Sequence, residues 1–236
     1  MVNENILVIA PTYNEISNIE NFLIQVTQLD VTILIIDDNS PDGTHKVVKK
    51  FAETNPNVNL IVRNKKKGLG SAYRDGFDWF LKKQYSHCIE MDVDFSHRVV
   101  DLEKLIKEID IYDLVIGSRY INGGGSKGWD VRRKFISNFA NKFAGFLLRS
   151  KIKDLTSGFR IFSKNALEII NFKEIKTNGY GFQIEMAYLA EINNLKIKEI
   201  PIIFEERRLG ESKMSYWIVL EAVFLIFKLV FTKQKV

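Results

Sequence analysis

His87-Cys88-Ile89-Glu90-Met91-Asp92-Val93-Asp94 is the stretch on which the reading of this chain turns. An apolar run with the character of a buried strand closes on two carboxylates separated by one residue. Two anions at the end of a buried strand call for a cation. Mg²⁺ or Mn²⁺ is the natural candidate, because hard ions take oxygen ligands and are held by one or two carboxylates together with substrate phosphates. Aspartates also populate solvated turns, so the weight comes from the neighbours. Val31-Thr32-Ile33-Leu34-Ile35-Ile36 runs into Asp37-Asp38 and then Asn39-Ser40-Pro41-Asp42-Gly43-Thr44. The first apolar run, Ile6-Leu7-Val8-Ile9-Ala10, opens onto Pro11-Thr12-Tyr13-Asn14-Glu15. Three strands therefore deliver polar residues at their carboxyl ends.

This is the arrangement by which a mostly parallel, doubly wound α/β sheet binds a ligand, in the crevice beyond the carboxyl edge of its strands. Continuous rather than alternating apolar runs suit a sheet covered on both faces. Helical spacing joins the strands over Ser17 to Gln28, Asp42 to Glu53 and Leu69 to Lys83, and Ser17 with Glu20 fits a capping box. Two more strands are expected at Asn59 to Val62 and Asp113 to Gly117. No linker-like composition divides the chain, which reads as one catalytic domain over residues 1–213 with a C-terminal extension over 214–236.

The 236 residues carry a net charge of +5 and a single cysteine, Cys88, within a strand. No disulfide framework is possible, and Met1-Val2-Asn3-Glu4-Asn5 lacks the basic and apolar regions of a signal peptide, so a cytoplasmic location is expected. The basic residues are spread along the chain and no nucleic-acid motif is present, which sets nucleic acid aside as a partner. Lys65-Lys66-Lys67 reads as a solvated loop or a phosphate contact. Gly68-Leu69-Gly70-Ser71-Ala72 lacks the P-loop pattern, and no dinucleotide fingerprint follows the first strand.

Taken together, Pro11-Thr12-Tyr13-Asn14-Glu15, Asp37 to Thr44, Lys67-Gly68-Leu69-Gly70 and Met91-Asp92-Val93-Asp94-Phe95-Ser96-His97 resemble the family 2 glycosyltransferases of the GT-A fold. Within that family the chain is similar to the dolichol-phosphate (polyprenol-phosphate) mannose synthase branch. That likeness continues through Gly117-Ser118-Arg119-Tyr120, Gly128-Trp129-Asp130, Arg133, Asp154 to Arg160, Arg207 and Gly210-Glu211-Ser212-Lys213.

The resemblance implies metal-dependent, inverting transfer of mannose from GDP-mannose to a polyprenyl (dolichyl-type) monophosphate. It implies that Pro11, Tyr13, Glu15, Ile36 and Asp38 hold the nucleoside and that Asp92 and Asp94 hold the metal on the diphosphate, with Val93 and Ser96 beside them. Val93 stands where the family usually has alanine, and Ser96 where some members have glutamine. Arg119, Arg133, Arg207 and Lys213 match phosphate-binding positions; guanidinium forks bind phosphate bidentately and lysine acts as a point charge. Asp94, Arg119, Arg207 and Lys213 are the implied catalytic set. Arg119 and Arg133 with Asp154, Ser157 and Arg160 would form the acceptor mouth, supported by Gln183 and Glu185. The alternatives are the same fold using UDP-glucose or another sugar nucleotide, and a non-catalytic sugar-nucleotide-binding subunit of a membrane complex.

The second half of the chain supplies the expected lipid side. Tyr120 to Gly128 is glycine-rich and reads as a mobile loop. Val131 to Arg149 places Phe135, Ile136, Phe139, Phe143, Phe146 and Leu147 on one side of a helix, either as core or as a membrane contact. Trp217 to Phe231 is almost wholly apolar, yet at 1.5 Å per residue it extends only about 22 Å, short of a hydrocarbon core. It is expected to lie in the membrane surface as an amphipathic helix, with packing in the core as the alternative. These features place the protein on the cytoplasmic face of a membrane, where a separate membrane-anchor subunit is a candidate partner.

Overall fold

The computed structural model describes residues 5–206, 224–227 and 229–230. Over its first half the expected alternation is present. β1 (Ile6–Thr12) leads to α1 (Ile19–Val26), β2 (Thr32–Asp37) to α2 (Thr44–Ala52), β3 (Val58–Val62) to α3 (Leu69–Leu81), and β4 (His87–Glu90) to α4 (Val99–Ile106). After β5 (Leu114–Ser118) the order is less regular: β6 (Gly125–Lys127), α5 (Val131–Leu148), β7 (Arg160–Ser163), α6 (Lys164–Ile169), α7 (Gly179–Ile192), β8 (Ile197–Pro201) and β9 (Ile203–Glu205).

Seven strands form one sheet in the order β3-β2-β1-β4-β7-β5-β8. All neighbours are parallel except β7, which runs antiparallel to both β4 and β5. From β1 the chain builds outward through β2 and β3, then returns to place β4 on the other side of β1. That reversal opens a crevice at the carboxyl ends of β1 and β4, where the motifs after Ala10 and Met91 emerge.

Successive strand residues feed two cores. Leu7, Ile9, Leu34, Ile36, Cys88 and Phe162 face α3, α5, α6 and α7, while Ile6, Val8, Ala10, Ile33, Ile35 and Ile89 face α1, α2 and α4. The apolar runs lack alternation because both faces are covered. α3 lies close against the sheet at Gly76, where a Cβ would stand 2.7 Å from Ile9 Cγ2. Tyr73, Phe77 and Phe80 of this helix are fully buried.

Two local expectations are corrected and one open choice is decided. Ser17 does not cap α1: the flanking residue is Asn18, whose amide side chain donates to Glu15 Oε2 at 2.9 Å, and the Glu15 carbonyl accepts from the amides of Asn18 and Ile19. The turn leaving β1 has taken over the helix start. The glycine-rich segment is not a free loop either, since β6 pairs in parallel with β9 and the Gly125 amide donates to the Ile202 carbonyl at 2.9 Å. α5, capped by Asp130 accepting from the Arg133 amide at 2.8 Å, buries only Asn141, Ala144 and Leu148. Its Phe135, Ile136, Phe139, Phe143 and Phe146 are solvent-exposed, Phe146 by 80%, so they are not core residues.

Residues 224–227 and 229–230 are helical. Ile226 belongs to the core against α3 and α7, with Leu229 and Val230 packed on it, while Phe224 and Phe227 are exposed. This short piece thus docks one face on the domain and shows phenylalanines on the other. Among the described residues no helix is long and apolar enough to cross a membrane.

Candidate active site

At the tips of β1 and β2 the acids brace the backbone. Asp37 is fully buried and accepts from Thr12 Oγ1 at 2.8 Å, the Ser40 amide at 2.8 Å and Ser40 Oγ at 2.6 Å. Ser40 Oγ in turn accepts from the Asn14 amide at 3.0 Å, which fixes the turn carrying Tyr13 and Glu15. Asp38 pairs with Arg63 and accepts the amides of Lys67 at 3.1 Å and Gly68 at 3.2 Å. Its carboxylate ties β2 to the loop ahead of α3 and does not line the cavity beyond β1 and β4. Lys66 reaches back over the Tyr13 ring, 4.0 Å from its centroid. Ile36 is a core residue against Gly76 and does not line the cavity.

A cavity of about 510 Å³ opens beyond β1 and β4, lined on one side by Pro11, Glu15, Asp92, Val93, Asp94, Ser96 and His97. Asp94 is buried, and its Oδ1 accepts the Ser96 amide at 3.0 Å. Phe95, between them, adopts φ 61°, the left-handed turn that brings Ser96 back under Asp94. The Asp92 amide donates to His97 Nδ1 at 3.2 Å, and the imidazole stacks on Phe159 at 4.7 Å. His97 thus holds the acidic turn in place, with its Nδ1 lone pair committed to that amide. The Ser96 hydroxyl is buried without a hydrogen-bond partner among the described residues.

Behind this wall lies Glu90, the last residue of β4. Burial pushes its carboxyl up to about 8, with Arg160 and Gln183 pulling the other way. Arg160 itself is fully buried: it donates to the carbonyls of Gln183 at 2.7 Å and Leu155 at 2.8 Å, and burial lowers its affinity for a proton. The expected place of Arg160 in the acceptor mouth is therefore corrected. It is a buried brace, because β7 is a central strand whose side chains point into the two cores.

The opposite wall is basic and aromatic. Arg119, at the end of β5, donates from Nε to Asp154 Oδ2 at 2.8 Å and from Nη2 to Asp154 Oδ1 at 2.7 Å, and Nη2 also reaches Thr156 Oγ1 at 2.7 Å. Burial opposes the charge on Asp154, but the adjacent guanidinium and its hydrogen bonds outweigh it and hold the carboxyl below the usual range. Only Nη1 of Arg119 makes no hydrogen bond to a described residue. Asp154 is fully buried and does not line the cavity, so its expected acceptor role is replaced by that of an anchor for Arg119. Ser157 lines the cavity and donates to the Gly117 carbonyl at 2.6 Å. Arg133, in the first turn of α5, stacks over Trp129 at 4.4 Å and pairs through Nη1 with Glu206 Oε1 at 2.9 Å.

The fold thus gathers Pro11, Glu15, Asp92, Val93, Asp94, Ser96, Arg119, Arg133, Ser157 and Gln183 around one cavity. It leaves Ile36, Asp38, Asp154 and Arg160 behind it, and Tyr13 beside Lys66. Glu185 accepts from Thr177 Oγ1 at 2.9 Å and steadies the segment before α7. Arg207 and Lys213 lie outside the described residues. Lys66, Thr156, Asn178, Tyr180, Phe204 and Glu206 also line the cavity and were not singled out as site residues from the sequence. Lys66 lay in the basic run read as a solvated loop or a phosphate contact, Thr156 in the Asp154 to Arg160 motif, and Tyr180 next to Gln183; Phe204 and Glu206 reach the site through the β6–β9 pairing.

Residues 7–170 match the profile of glycosyl transferase family 2. The chain is 42% identical over 224 residues to the polyprenol monophosphomannose synthase of Mycolicibacterium smegmatis, covering 93% of this chain and 84% of that one. It is 40% identical over 220 residues to the undecaprenyl-phosphate mannosyltransferase of Micrococcus luteus, covering 92% and 90% of the two chains. The fold is similar to that of glucosyl-3-phosphoglycerate synthase from Mycobacterium tuberculosis, with a TM-score of 0.72 at 14% identity over 96% of this chain and 80% of the other. The sheet and crevice are those of a GT-A-like fold.

Proposed function

The chain belongs to glycosyl transferase family 2, and from that membership we propose that it transfers mannose from GDP-mannose to a polyprenyl monophosphate with inversion at the sugar's anomeric carbon. The observation that carries this reading is the division of one cavity into an acid wall, Asp92 and Asp94, and a cationic wall, Arg119 and Arg133. A sugar diphosphate needs its leaving charge balanced, and an acceptor phosphate needs fixed cations. The names of the two bacterial relatives support mannosyl transfer and a polyprenyl phosphate acceptor.

The donor set fits a divalent cation, Mg²⁺ or Mn²⁺: Asp92 and Asp94 offer oxygen ligands on one turn, and beside them lies the Ser96 hydroxyl, which has no hydrogen-bond partner among the described residues. When bound, it supplies positive charge to the leaving diphosphate. Pro11, Tyr13 and Glu15 hold the nucleoside, while Arg133 and Nη1 of Arg119 position the acceptor phosphate, with Arg207 and Lys213 completing the phosphate contacts. An acceptor oxygen attacks the anomeric carbon as the bond to the diphosphate breaks, and the electron pair leaves with GDP. A phosphate monoester, with a second pKa near 6, is already anionic at neutral pH and needs positioning rather than a base. His97, with Nδ1 accepting from the Asp92 amide, is accordingly a support of the acidic turn.

The exposed phenylalanines of α5, with Phe224 and Phe227, form the membrane face in this reading, and the protein acts on the cytoplasmic side of the bilayer. A membrane-anchor subunit would meet it at the same face. The test is to offer radiolabelled GDP-mannose, UDP-glucose and other sugar nucleotides with a polyprenyl phosphate and extract the lipid. Label is expected from GDP-mannose alone; label from UDP-glucose alone would replace the donor. Asp94→Asn should abolish transfer and the metal dependence of GDP-mannose binding, and unchanged Mn²⁺-dependent affinity by calorimetry would remove the metal assignment.

A further inference from the structure

Arg133 and Glu206 are 73 residues apart in sequence, yet their side chains meet at 2.9 Å in the wall of the catalytic cavity. Both ends of this pair are fixed by their surroundings. Arg133 is held from below by the Trp129 ring at 4.4 Å and by its position in the capped first turn of α5. Glu206 follows β9, its amide donates to the Lys127 carbonyl at 2.9 Å, and its Cβ passes so close to Gly128 that any side chain there would stand 2.8 Å from it. Gly128, at φ 87°, is therefore suited to admit Glu206 both by its conformation and by its lack of a side chain.

The neighbouring cation provides the contrast. Arg119 is 8% exposed and clamped by Asp154, which lies outside the cavity; Arg133 is paired with a carboxylate that itself lines it. The side chains of Arg133 and Glu206 are 33% and 48% exposed, so their attraction is screened and weak. A phosphate dianion offers the same guanidinium more charge and a bidentate geometry.

We infer that Glu206 is a specificity-determining residue: its carboxylate occupies the anion position on Arg133 that a substrate phosphate takes, so that an arriving phosphate must displace it. Resting on the transferase reading, this assigns a residue that selects among anions at the same site. Weakly charged or monodentate anions fail to displace the carboxylate, and phosphates succeed.

The prediction has an unusual sign. Removing a charged residue from the binding cavity should tighten the ligand. Glu206→Gln is expected to lower the dissociation constant for a phosphate ligand about two- to five-fold, the equivalent of one screened ion pair. Farnesyl phosphate and GDP, titrated separately by calorimetry in the full chain, report the acceptor and donor phosphates. Glu206→Ala serves as a second variant in case glutamine forms a new bond to Arg133. In an Arg133→Gln background, Glu206→Gln should have no further effect. Tightening of either ligand that vanishes in that background establishes the displacement and names the phosphate concerned. Weakened or unchanged binding of both in both Glu206 variants overturns it, as does tightening that persists without Arg133. Tightening for GDP in a protein that does not bind farnesyl phosphate keeps the inference and overturns the acceptor assignment. Wild-type protein that binds neither overturns both.

Discussion

Arg119 and Arg133 stand on one wall of the same cavity, each paired with a carboxylate, and burial makes them different devices. The Arg119–Asp154 pair is sealed: the fork is bidentate, Asp154 is wholly inaccessible, and the amides of Lys153 and Asp154 are in turn held by Glu199 at 2.9 Å each. Breaking such a pair strands a buried charge, so it works as architecture. The Arg133–Glu206 pair is open to water, and an exposed pair contributes little to stability. It can exchange its anion without disturbing the fold. One arginine is therefore fixed as part of the wall, and the other is free to serve as an adjustable contact.

The hardest test of this contrast is Asp154→Asn, which should destabilise the protein by about 3–5 kcal/mol because Arg119 loses its compensating charge in a buried site. Chemical denaturation measures it, and a loss under about 1 kcal/mol would make the sealed pair no different from the open one. Next in size, Arg133→Gln should lower kcat/KM for polyprenyl phosphate about ten- to a hundred-fold, through one charge-assisted contact, while leaving the melting temperature unchanged. A variant that instead unfolds would show that Arg133 too is architecture.

Acid sharpens the comparison further. The carboxyl of Asp154 is held below its unfolded value, so its contribution to stability is complete above the unfolded pKa of about 4 and is lost as pH falls through the depressed folded value. Unfolding free energy measured downward from pH 5 should fall in wild type, and this component of the slope should be absent in Asp154→Asn. Identical slopes would mean that other carboxylates dominate the acid limb. The smallest effect on stability, within about 0.5 kcal/mol, is expected for replacing the exposed Phe135 and Phe139 of α5 with serine. Sedimentation with anionic liposomes should nevertheless decrease; full pelleting of the double variant would remove α5 from the membrane face.

How much of this was legible depended on the range of the contacts involved. The strands β1 to β5 announced themselves through continuous apolar runs, three of which (β1, β2 and β4) open onto acidic segments, since local composition dictates a strand buried on both faces. β6, β7 and β9 span only three or four residues each and owe their existence to partners distant in the chain. The helical spacing of α5 was plain, but not the side it would bury: the same phenylalanine stripe serves a core or a surface, and here only Asn141, Ala144 and Leu148 face inward.

The same division runs through the site. By itself the sequence determined that a strand would end at Asp92-Val93-Asp94, that β1 and β2 would present Pro11 to Glu15 and Asp37-Asp38 at the same edge, and that cations would be available nearby. Those facts follow from strand direction and residue type. Only the tertiary structure decided which charged groups face the cavity and which hold each other. Asp38 is taken by Arg63 and the amides of Lys67 and Gly68, Asp154 by Arg119, and Arg160 by the carbonyls of Leu155 and Gln183. Glu206 was brought to Arg133 from across the chain. An acid or an arginine has the same local signature whether it binds substrate or braces a loop. Its role is fixed by burial and by the partner that folding places beside it, and neither is encoded in the few residues around it.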